Sequence, residues 1–121
     1  VVPVRGPDDE ATPMSDDDTY DDTLFWELAQ PYLDAGAERA SMMGMAVMRV
    51  DGTFFAGPDK VTGDLVVKLP AARVDGMIAY GTGIGFAPGG QRFKEWIQVP
   101  DRDPQTWVEL IDEARAFVTG A

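Results

Sequence analysis

The chain has no cysteine and no histidine. The first absence removes disulfide frameworks, thiolate nucleophiles and cysteine-type zinc sites. The second removes the commonest general base near neutral pH and the commonest transition-metal ligand. No apolar run approaches the roughly 18–20 residues needed to cross a bilayer. The N-terminal residues lack the basic-then-apolar pattern of a secretory leader. No membrane association and a cytoplasmic location are therefore expected. Basic residues are scarce as well: ten Lys and Arg stand against 21 Asp and Glu, for a formal net charge of −11. Such a chain repels a polyphosphate backbone at long range, so a nucleic-acid partner is not expected. Arg92 and Lys94, near Trp96, are the one local pattern that favours it.

What is present describes one α+β domain preceded by a tail. Residues 1–19 combine prolines, repeated carboxylates and no hydrophobic periodicity, and read as an acidic disordered tail, with residues 1–13 a candidate extension upstream of Met14. From Asp22, the apolar residues Leu24, Phe25, Leu28, Ala29, Tyr32 and Leu33 fall on one face of a helix. Asp21 or Asp22 can cap it, Pro31 should kink its last turns, and Gly36 is a natural stop. Trp26 flanks the stripe and reads as packing against the sheet.

The stretch from Met42 to Leu69 reads as a three-strand meander. A first strand over about residues 41–50 is apolar on both faces and should be central, with Gly44 marking a bulge or a close backbone approach. Asp51-Gly52 is a strong tight-turn signal, leading back into Thr53 to Ala56. In a third strand Leu65, Val67 and Leu69 point inward, and Lys68 on the other face sits in solvent, blunts an edge or contacts an anion. Pro70 opens a second helix carrying Val74, Met77 and Ile78. The Gly81-Thr82-Gly83-Ile84-Gly85 run follows a helix and leads to a strand, the reverse of a dinucleotide fingerprint, and reads as a flexible loop. A strand over about residues 92–99 alternates Phe93, Ile97 and Val99 on one face. Glu95 shares that alternation and should lie near an end, at an edge, or opposite Arg92 or Lys94. Asp103 and Pro104 open a last helix with Trp107, Leu110, Ile111, Ala114 and Val118 on its apolar stripe and Gly120 at its end.

The order helix, strands, helix, strand or strand pair, helix, together with Met42-Met43-Gly44-Met45, Phe54-Phe55-Ala56, Asp64 to Lys68 and Gly90 to Val99, resembles the N-terminal domain of TfoX/Sxy-type proteins over residues 21 onward. The second glycine of the family's Met-Phe-Gly-Gly segment is replaced by Met45, and the helical C-terminal domain of full-length members is absent. The resemblance implies an antiparallel sheet of about five strands flanked by helices, in the order α-β-β-β-α-β-β-α, a secretion-chaperone-like arrangement. It also implies a relation to regulators of DNA competence, and no established catalytic site.

The leading functional expectation is a non-catalytic domain that binds a protein partner, or a second copy of itself, through an exposed sheet edge or the methionine-rich strand. The alternative is a small-ligand pocket between sheet and helices, lined by Met43, Met45, Phe54, Tyr80 and Trp96, with Lys68 and Arg92 as polar contacts. Catalysis would have to use Asp51, Asp64, Lys68, Arg92 and Glu95, and both aspartates sit where turns favour Asp for local hydrogen bonding. No enzyme activity, cofactor or metal is expected.

Overall fold

The computed structural model describes residues 21–120; the tail expected over residues 1–19 lies outside the described residues. The first helix, α1 (Thr23–Asp34), starts where the Asp21 carboxylate accepts the Thr23 N–H at 3.0 Å. That hydrogen bond holds the Asp21 carboxyl below its ordinary range. Pro31 lies inside the helix without ending it, and Gly36, at φ +115°, turns the chain toward the sheet.

Six strands follow, interrupted by one helix: β1 (Glu38–Met42), β2 (Met45–Val50), β3 (Thr53–Pro58), β4 (Leu65–Lys68), α2 (Ala71–Tyr80), β5 (Ile84–Gly85) and β6 (Trp96–Val99). The closing helix, α3 (Pro104–Thr119), has Asp103 at its N-cap position and ends in left-handed Gly120. The six strands form one sheet in the order β1-β2-β3-β4-β6-β5, every neighbouring pair antiparallel. The α+β class is as expected; the strand count is one higher.

The extra strand comes from the stretch expected to be one strand over residues 41–50. Met43 at φ 53° and Gly44 at φ 77° form a two-residue turn, so Met42 pairs with Met45 across a hairpin. Gly44 is thus a turn residue and not a bulge. The bulge lies elsewhere: Met48 pairs with Ala56 and Arg49 with Phe54, leaving Phe55 as the additional residue. Phe55 and Ala56 consequently both enter the core on the helix side. Residues 92–95 are not strand, because β6 starts only at Trp96. Phe93 therefore escapes the alternation and packs on the face opposite Ile97 and Val99.

The helices cover one face. Phe25 and Ala29 of α1, Val74 and Met77 of α2, and Trp107, Leu110, Ile111 and Ala114 of α3 meet Met48, Phe55, Leu65, Val67, Leu69, Ile97 and Val99 in one buried cluster. Those side chains fill the space between sheet and helices. Among the described residues no helix is long and apolar enough to cross a membrane.

Two glycines separate close approach from mere permissiveness. A Cβ on Gly57 would lie 2.7 Å from the Ala46 carbonyl oxygen, whereas one on Gly76, inside α2, would meet nothing within 4 Å. Gly57→Ala should destabilise the fold by about 1–3 kcal/mol through overpacking. Gly76→Ala should stabilise it by about 0.5–1 kcal/mol through helix propensity. Urea unfolding midpoints of the two variants, moving in opposite directions, check both.

Candidate functional site

The helix-free face of the sheet is apolar too. Met45, Val47, Val66, Phe86 and Trp96 form a second buried cluster, with Ala40, Met42, Phe54 and Phe93 packed against it. Among the described residues no helix covers this cluster. The segment between β5 and β6 does so instead: Phe86 meets Phe93 edge-on at 5.9 Å and Trp96 at 6.3 Å, and the Phe93 N–H donates to the Phe86 carbonyl at 2.9 Å. The Gly81–Gly85 run expected as a flexible loop thus ends in a two-residue strand paired with β6. A Cβ on Gly85 would lie 3.2 Å from the Arg92 Cδ, and Arg92 in turn donates to Asp75 of α2 at 2.8 Å.

This covering segment stops short of the β1–β2 turn and leaves a groove of about 560 Å³. One wall is Met42, Met43 and Met45, a second is Asp59, Lys60 and Val61 from the β3–β4 loop, and a third is residues 85–89, with Gln98 at the floor. Met43 and Val61 are 53% and 61% exposed at its mouth. The β3–β4 loop is held in shape by Asp59, whose Oδ2 accepts from the Val61 and Thr62 N–H groups at 3.0 Å and from the Thr62 hydroxyl at 3.2 Å. Lys60 reaches across the hairpin turn and donates from Nζ to the Met43 carbonyl at 3.3 Å. The lining combines three methionines with few polar groups and one cation at the rim.

Of the residues expected to line a pocket, Met43 and Met45 do so, on the face opposite to the one expected. Phe54 and Trp96 pack in the cluster beside the groove. Tyr80, 87% exposed at the end of α2, stands apart from it. Lys68 lies on an interior strand, not an edge, and pairs with Glu95 at 3.6 Å. Glu95 lies at the end of β6, immediately before Trp96, as one of the expected alternatives had it, and it faces Lys68 and not Arg92 or Lys94. Lys60, Val61 and Phe86 belong to the site and carry no sequence signal, because the groove joins three segments that are distant along the chain.

The polar residues weighed for catalysis go to separate places. Asp51 occupies the β2–β3 turn at φ 52°. Asp64 is buried, forms an ion pair with Arg102 and accepts a hydrogen bond from Gln98 Nε2, both at 2.8 Å. Among the described residues no three acidic side chains gather as a metal site would require. Trp26 packs as expected at the edge of the core, with its indole N–H on Asp22 at 3.0 Å and the Arg39 guanidinium 3.8 Å above its ring.

A second groove, about 450 Å³, runs between α1 and α3 past Leu28, Pro31, Tyr32, Val108 and Arg115. Burial, reinforced by donation to Asp112, raises the Tyr32 phenol above its ordinary 10.0. A third of about 420 Å³ lies beside the Gly81–Gly83 turn. Comparison with family models, with curated proteins and with solved structures yields no match.

Because the folded state keeps the Tyr32 proton to higher pH than the unfolded chain does, its contribution is fully present below pH 10.0. It is lost as pH climbs through the raised folded value. In an alkaline titration followed by tyrosinate absorbance, Tyr32 should ionise late, and Tyr32→Phe should remove that late-titrating step.

Proposed function

We propose that this chain is a non-catalytic protein-interaction domain that receives an apolar side chain of its partner in the groove beside the Met43–Gly44 turn. One observation carries the reading. Met43 holds a left-handed backbone conformation while more than half exposed at the mouth of an apolar groove. That conformation costs a bulky residue about 1–2 kcal/mol. Asn at this position would close the hairpin at lower cost. A methionine there gives up stability for an exposed, polarisable surface, the kind of local strain that points toward function.

A relation to TfoX/Sxy N-terminal domains is part of the same proposal, supported by the motifs around Gly44 and Trp96 and by an order of elements that departs from the expected one by one additional strand before α2. A regulatory role would follow from it only by analogy. The cytoplasm is the compartment we propose, in keeping with a chain without cysteine. A second reading, a small apolar ligand in the same groove, is favoured by a volume of about 560 Å³, inside the roughly 300–1,000 Å³ of small-molecule sites.

The test uses N-phenyl-1-naphthylamine, an uncharged apolar fluorophore, and the variant Met43→Asn. Saturable fluorescence enhancement is expected with the native chain. The variant should lose most of it while gaining about 0.5–1 kcal/mol in stability. No enhancement in the native chain, or an undiminished one in the variant, overturns the groove as a site. Weak probe binding fits a groove that takes one side chain of a larger interface. Tight binding favours the small ligand.

A further inference from the structure

We infer that the partner segment carries a carboxylate next to the apolar side chain it inserts, and that Lys60 receives that carboxylate. The inference rests on the groove being a binding site and adds the chemistry of what binds. Among the described residues, Arg49, Lys68, Arg73, Arg92 and Arg102 each form an ion pair with a carboxylate. Lys60 forms none, although it stands beside Asp59; Arg39, Lys94 and Arg115 form none either, but of these four only Lys60 lines the groove. The Asp59 carboxylate is turned into its own loop, where three donors converge on its Oδ2.

The lysine is also positioned. A Cβ on Gly44 would lie 3.6 Å from its Nζ, so the ammonium rests over the turn glycine, and its single hydrogen bond goes to the Met43 carbonyl. An ammonium has three donors, so two remain for a ligand at the groove's rim. In a chain of net charge −11 an unpaired cation beside an apolar groove creates a local preference against the overall field. An anionic group anchored by a neighbouring apolar side chain is short-ranged enough to profit from it.

The experiment labels the methionine methyl groups with carbon-13 and titrates the chain with two peptides, acetyl-Gly-Leu-Phe-Asp-Gly-amide and its Asn counterpart. Met42, Met43 and Met45 line the groove, whereas Met48 and Met77 sit in the helix-side core, so the first three resonances should move and the last two should not. The acidic peptide should bind about two- to fivefold more tightly at low salt, and the difference should shrink as salt rises. Lys60→Met should abolish the difference with the Met48 and Met77 resonances unchanged, and Lys60→Arg should retain it. Equal binding of the two peptides to the native chain overturns the carboxylate and leaves the groove standing. A preference that survives Lys60→Met overturns the role of Lys60. If neither peptide moves the groove methyls, the groove reading falls and this inference with it.

Discussion

Both faces of the sheet are apolar, and among the described residues the helices cover one of them. Much else in the molecule follows from that imbalance. The helix-side face is sealed by α1, α2 and α3 in a continuous buried cluster. The opposite face has only the segment between β5 and β6, where Phe86 and Phe93 fold down on Trp96. A covering of two aromatic rings is smaller than the surface it must hide. The uncovered remainder is the methionine-lined groove.

How residues are allotted between the faces depends on the single-residue offset in β3. With strict alternation, Phe55 and Ala56 would point to opposite sides. The bulge lets both of them serve the core under α3 and returns Phe54 and Gly57 to the other face. Gly57 then packs against the Ala46 carbonyl so closely that no side chain fits. The hairpin carrying Met42, Met43 and Met45 is thereby seated at a defined position relative to the β3–β4 loop that faces it.

The helices were legible in the sequence because a 3.6-residue stripe and its end signals lie within one short window, and α3 with Asp103, Pro104 and Gly120 is the clearest instance. The turn at Met43–Gly44 was not. Its first residue has none of the chemistry that favours left-handed backbone, and apolar residues on either side read as one continuous strand. Phe93 was assigned to the wrong face because alternation was extended across residues 92–95, where the chain is loop. The Asp51-Gly52 turn, by contrast, has the composition its geometry demands and was found. One wall of the groove, with Met43 and Met45, was legible as unusual composition. Lys60, Val61 and Phe86 were not, because tertiary proximity leaves no local pattern.

The buried carboxylate of Asp64 bears on how that groove behaves. It binds Gln98 of β6 and Arg102 of the linker into α3, while Arg102 also donates to the Thr62 carbonyl at 2.9 Å. The Asp59 N–H closes the same loop onto the Asp64 carbonyl at 2.8 Å. Lys60 and Val61 therefore stand on a loop clamped at its base to the centre of the sheet. Whatever lodges against this wall meets a loop already tied down at its base, which leaves less ordering entropy to oppose its arrival.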